Sequence, residues 1–307
     1  MFPNFRRAAI AAALLVAATT STGSAQQNFG AGFVGLRAAS QAPPGVYVGV
    51  FYWGSTSGKY VNKDGTSVDI RPGISQRLAG LLVNYVTPVK ILGANWAMTL
   101  SLPLSSGHVQ IDSVPSANSS VSWGYSTTVL QPLNLGWHTK RADYTFAYTL
   151  YFPTGKWSFG GSQNNGLGMW TNEFSAGATY FFNDEQTVHF ALMAYYDINS
   201  AKRDTTYTQS NPFTLEGGVG INYASKSKWM GWAGVVAYGQ WALVPTKFVA
   251  TAGPLTTTIA GPYSESFGIG PEITTFQGAL TLRYLWQLGS KSALQGNIFY
   301  AQFAMPL

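Results

Sequence analysis

Seven ionisable residues of this 307-residue chain are the candidates to line an interior: Asp143, Glu173, His189, Asp197, Glu216, Glu272 and Arg283. Each sits on the polar side of a segment that alternates apolar with polar or small residues. Successive side chains of a strand point to opposite faces, so all seven are expected to share one enclosed interior. Carboxylates gathered there can line a water-filled path that favours cations. Paired with Arg283 or Arg77, they can instead form a salt-bridged filling that stiffens and blocks the interior. Residue types alone leave both arrangements open.

Catalysis is poorly served. The chain has three histidines. His108 lies in an expected loop with Ser105, Ser106 and Asp112. His138 opposes the parity of Leu133, Leu135 and Trp137, so it faces inward, as His189 does. None has a serine and a carboxylate at a spacing that suits nucleophilic catalysis. His189, Asp197 and Glu173 can approach one another on adjacent strands, but a lone inward histidine is more often hydrogen-bonded filling than a metal ligand. The chain has no cysteine, so it lacks a thiolate nucleophile, a disulfide and a cysteine metal site. No glycine-rich phosphate loop joins a strand to a helix. The reading is a non-enzyme without metal or cofactor.

The elements that position these residues are strands. In 94–105, Trp96, Met98, Leu100, Leu102 and Leu104 share one face, and Asn95, Ala97, Thr99 and Ser101 the other. In 142–153, Tyr144, Phe146, Tyr148, Leu150 and Phe152 oppose Asp143, Thr145, Ala147, Thr149 and Tyr151. The same parity places Glu173, His189, Asp197, Glu216, Asn222, Glu272 and Arg283 inside. A midplane charge facing lipid costs a barrel about 2–4 kcal/mol, which favours this register. Twelve such segments follow one another, at 45–54, 74–87, 94–105, 126–138, 142–153, 169–182, 186–198, 211–224, 229–242, 264–274, 277–287 and 293–304. Connections after odd-numbered segments are long, except the last, and those after even-numbered segments are short. That is the pattern of long extracellular loops and tight periplasmic turns. The expected fold is all-β: an antiparallel transmembrane barrel of about twelve strands, of outer-membrane type, over 45–307.

Composition agrees. Hydrophobic residues make up 46% but charged ones only 10%, well below a soluble domain, which argues against a soluble β-sandwich. No apolar run after the N-terminus is long enough for a membrane helix. Aromatics form 15%, and Trp96, Trp137 and Trp229 near turns, with Trp53, Trp170 and Trp286 near loops, are expected to mark the two membrane interfaces. The formal net charge is +6; without Arg6 and Arg7 the remaining modest excess is spread over loops, with no basic block for nucleic acid.

At the N-terminus, Arg6 and Arg7 precede an apolar run and a small-residue stretch ending Gly23-Ser24-Ala25. This reads as a signal peptide over 1–25, cleaved after Ala25. Residues 26–44, rich in Gly, Ala and Ser, are a tail or a small plug in the lumen.

Pro43-Pro44-Gly45-Val46-Tyr47 opens the first segment, and Gln131-Pro132-Leu133-Asn134-Leu135-Gly136-Trp137-His138 lies in the fourth. Tyr151-Phe152-Pro153-Thr154-Gly155 closes the fifth, and Gly166-Leu167-Gly168-Met169-Trp170-Thr171 opens the sixth. Phe267-Gly268-Ile269-Gly270-Pro271-Glu272 lies in the tenth. In this order, the chain from Pro43 onward resembles the outer-membrane "MetA-pathway of phenol degradation" family. The resemblance implies a bacterial outer-membrane barrel that transports small, rather hydrophobic solutes; it does not imply phenol itself. It carries over no set of functional residues. One departure from outer-membrane barrels is Met305-Pro306-Leu307 in place of a terminal aromatic, which leaves Phe303 and Tyr300 to signal to the barrel-assembly machinery. The expectation is a monomer in the outer-membrane lipid that passes small hydrophobic or aromatic solutes by passive diffusion. Tyr60, Trp123, Trp157 and Tyr263 in the loops would either form a greasy entry or simply pack them. The alternatives are a closed structural or adhesion barrel whose loops bind partners, and a lipid-modifying barrel enzyme.

Overall fold

The computed structural model describes residues 30–307 apart from 69–71, 113–114, 116–117, 225–226 and 253–254. The expected signal peptide, 1–25, lies outside the described residues, as does 26–29. The strands are β1 (Gly45–Val61), β2 (Ser67–Val68), β3 (Pro72–Ile91), β4 (Ala94–Ile111), β5 (Ser119–Tyr125), β6 (Thr128–His138), β7 (Ala142–Phe152), β8 (Thr171–Phe181) and β9 (Val188–Asn199). They continue with β10 (Tyr207–Thr208), β11 (Asn211–Tyr223), β12 (Gly231–Val244), β13 (Lys247–Ala252), β14 (Leu255–Ala260), β15 (Glu265–Thr275), β16 (Leu280–Lys291) and β17 (Ala293–Pro306). Among the described residues, no helix is long and apolar enough to cross a membrane, which says nothing of strands.

Twelve of these strands pair antiparallel in the order β1, β3, β4, β6, β7, β8, β9, β11, β12, β15, β16, β17, and β17 pairs back onto β1. Closure satisfies every wall strand on both sides and leaves no edge to meet lipid. The twelve coincide with the twelve alternating segments. The turn at Leu92-Gly93 shows how local sequence sets the register: both residues have positive φ, 50° and 81°, as a two-residue hairpin whose twist matches its strands requires.

Several strands run further than alternation indicates. β1, β3 and β4 project on the extracellular side, and β5 adds to β4. His108 therefore lies on β4, where its Nδ1 meets Ser120 Oγ at 2.8 Å, and not in a loop. β10, β13 and β14 form a separate small sheet within the loops.

The two faces differ sharply. On β7, Tyr144 and Phe146 are exposed, while Asp143, Thr145, Ala147 and Thr149 are buried. Leu81, Leu100, Leu192, Val219 and Val235 continue the exposed apolar band around the wall. So continuous an apolar exterior suits lipid and not water.

Three residues depart from the expected faces. Trp53 is 2% exposed and points into the barrel, so it does not mark an interface. Arg77 points outward, so it cannot pair with the interior acids. β1 and β3 are apolar on both faces, which hides their parity. Tyr300 is buried inside against Phe33, so only Phe303 of the pair near the C-terminus faces outward.

Candidate functional site

Residues 30–41 run inside the barrel, tied to it by the interior polar groups. The Glu216 carboxylate on β11 accepts the backbone N–H groups of Gly32 and Val34, the latter at 2.9 Å. Glu272 on β15 accepts the N–H of Leu36 at 3.2 and 3.3 Å. Arg283 on β16 donates from Nη1 to the carbonyl of Gly32 at 2.6 Å and from Nε to Glu272 Oε2 at 2.7 Å. A Cβ at Gly35 would collide with both Glu272 and Arg283, so only glycine lets the segment lie this close.

Further along, Ser40 Oγ donates to Asp143 Oδ2 at 2.5 Å, while His138 Nδ1 meets Asp143 Oδ1 at 2.9 Å. The Arg37 guanidinium lies 5.2 Å from the Phe181 ring centre and 5.3 Å from that of Trp232. These are cation–π distances. Gln41 Nε2 reaches Asn134, and Ala39 N–H reaches Thr179 Oγ1. Apolar contacts complete the seal: Ala31 and Leu36 pack with Val236, Leu285 and Ile298.

Glu173 and Asp197 are held differently. They stand opposite each other on β8 and β9. Tyr151 Oη donates to Glu173 Oε2 at 2.8 Å. His189 is fully buried beside Phe181, and neither ring nitrogen has a hydrogen-bond partner among the described residues. The structure thus divides the seven. Asp143, Glu216, Glu272 and Arg283 hold residues 30–41, Glu173 and Asp197 form a facing pair, and His189 is packed against the wall.

Above residues 30–34 lies a cavity of about 320 Å³. Phe33, Phe51, Trp53, Tyr151, Tyr195 and Tyr300 contribute rings to it, and Glu173 lies in its wall. The Phe33 ring stacks on Trp53 with centres 5.8 Å apart and meets Tyr300 edge-on at 5.6 Å. Trp53 Nε1 donates to the carbonyl of Ala31 at 3.2 Å, fixing that stack. On the extracellular side the β7–β8 connection folds across. Asn165 O accepts from Ser105 Oγ and Ser126 Oγ, each at 2.7 Å, and Asn165 also lines the cavity. Of the four aromatics expected in loops, Tyr60 lies on β1 and Trp123 on β5, because these strands run beyond the alternating segments; Trp123 and Tyr263 are exposed, whereas Trp157 is buried.

Parity placed Tyr151 and Tyr195 of this cavity on the inward face but missed Phe33 and Trp53. Phe33 is a lone ring in a stretch of small residues, and Trp53 reads as an interface residue. That an aromatic interrupts the Gly/Ala-rich segment was the one available signal.

A closed twelve-strand barrel with an apolar exterior and a polar, partly filled interior defines an outer-membrane β-barrel protein. The chain belongs to the family described as "Putative MetA-pathway of phenol degradation", whose model matches residues 57–303. Its fold is similar to the COG4313 outer membrane channel from Pseudomonas putida F1, with a TM-score of 0.72 at 13% identity over 88% of this chain and 98% of that one. The β-domain of the Bordetella autotransporter BrkA is a more distant likeness, with a TM-score of 0.45 at 9% identity over 86% of this chain and 100% of that one. That likeness bears on nothing further. No curated protein matches the chain.

Proposed function

We propose that this chain is an outer-membrane channel that passes small hydrophobic or aromatic solutes by passive diffusion. One observation carries the reading: an aromatic-lined cavity of about 320 Å³ sits inside the barrel, under the extracellular loops. Concave, ring-lined sites of this size suit small apolar ligands. The family's description and the resemblance to a protein described as an outer membrane channel support it. In this account exposed extracellular aromatics such as Trp123 on β5 and Tyr263 capture the solute, and the cavity holds it. Passage to the periplasm then requires residues 30–41 to shift. The protein is exported by its signal peptide, cleaved after Ala25, and inserted by the barrel-assembly machinery as a monomer in the outer-membrane lipid. It performs no reaction and needs no cofactor.

A second reading, a closed structural barrel, draws on the way residues 30–41 fill the lumen. Planar-bilayer recording separates the two. The channel reading predicts discrete current steps that small aromatic solutes reduce. A silent barrel would favour the closed one.

A further inference from the structure

The cavity has an uneven electrostatic character. Glu173 is the one ionisable acid in its lining, and no Lys, Arg or His lines it among the described residues. Asp197 stands directly behind, opposite Glu173 across β8 and β9. The two carboxyls are hydrogen-bonded to each other, which requires a proton between them, so the pair carries at most one negative charge beside the cavity. Arg283 is already engaged with Glu272 and the carbonyl of Gly32.

A second observation points the same way. Gln76 and Thr127 also line this cavity, and Gln76 Oε1 and Thr127 Oγ1 have no hydrogen-bond partner among the described residues. Both residues are more than nine-tenths buried, at 8% and 6% exposed. A buried acceptor left unpaired is costly. A donor that reaches these atoms from the cavity would relieve that cost.

We propose that the cavity binds a small aromatic amine in its protonated form, with its ring among Phe33, Trp53 and Tyr300 and its ammonium toward Glu173. This names the solute class of the channel reading and rests on that reading. An ammonium brings three donors and no acceptor, which suits the Glu173 carboxylate. Ring faces attract a cation as well. A carboxylate solute would meet Glu173 with no base to receive it. A volume of about 320 Å³ suits one ring with a short arm.

Calorimetric titration of the purified full chain in detergent tests this, with four probes at about pH 7. They are 2-phenylethylammonium, 2-phenylethanol, 3-phenylpropanoate and methylammonium. The ammonium is expected to bind at least about tenfold more tightly than the alcohol. Phenylpropanoate and methylammonium are expected to show no binding. Glu173→Gln should bring the ammonium-to-alcohol ratio near one, and the unmodified protein decides the matter by itself if that variant does not fold. Equal binding of ammonium and alcohol would overturn the amine assignment while leaving the channel reading intact. So would methylammonium or phenylpropanoate binding as tightly as the ring ammonium, or a preference that survives in folded Glu173→Gln. If none of the ring compounds binds, the amine assignment falls together with the cavity's role in the channel reading.

Discussion

Glu272 and Arg283 stand opposite each other on β15 and β16 and form an ion pair at 2.6 Å, each residue only 4% exposed. The same two side chains reach into the lumen. Arg283 holds the carbonyl of Gly32, and Glu272 the N–H of Leu36. One pair is thus both a cross-strand tie in the wall and a clasp on residues 30–41.

Removing one partner leaves a buried charge uncompensated, which costs about 3–5 kcal/mol. Glu272→Gln and Arg283→Met should each lower barrel stability by that order. The double variant should cost less than the sum of the two. Urea titration in detergent micelles measures this, and a double variant as unstable as the sum would show that the two residues act independently.

Gly35 lies where any Cβ would strike that pair. Gly35→Val should therefore lift residues 30–41 from the wall. Conductance in planar bilayers should rise, or fluctuate between more levels, while the wall keeps its strand content by circular dichroism. An unchanged conductance in a folded variant would show that this segment does not limit flow.

The wall was legible in the sequence because lipid on one side and polar groups on the other force strict alternation, as on β7 from Asp143 to Phe152. Where both faces are apolar, alternation disappears. On β1, Val50 faces out and Trp53 in, and on β3, Leu81 faces out and Leu78 lines the cavity. Arg77 and Trp53 were misplaced for that reason. Residues 30–41 follow no period, since their backbone is held by side chains of distant strands such as Glu216. Only three-dimensional closure brings those acids to them.

Leu100 and Thr99 are neighbours on β4 with opposite surroundings. Leu100 is 38% exposed on the outer face, and Thr99 lines the cavity. Leu100→Arg should disfavour insertion by about 2–4 kcal/mol near the midplane. Thr99→Arg should be tolerated better, since the interior is polar. Folding yield into liposomes compares them, and equal yields would refute the assignment of faces on that strand.

Lys202, in the β9–β10 connection outside the membrane-spanning strands, is 1% exposed, and burial pushes its ammonium down to about 8. Its Nζ lies 5.5 Å from the Tyr207 ring centre. Below about pH 8 the amine is charged in both states, and burial of that charge costs stability. Between about pH 8 and 10.5 the unfolded chain keeps the proton that the folded one has lost, so stability rises with pH. Crossing the whole interval is worth on the order of 3 kcal/mol. Lys202→Met should be the more stable protein at about pH 7, and the gap should narrow toward pH 10.5. Urea titrations at both pH values check this, and a constant gap would contradict it.

Solute passage is the property that a channel must show in cells. The most direct measurement is initial uptake of a labelled small aromatic amine or alcohol by cells that carry the gene, by a deletion strain, and by the deletion strain complemented with the intact gene. Slower uptake in the deletion strain, restored on complementation and linear in the external concentration at low levels, is the predicted result. Equal uptake in all three strains would contradict it.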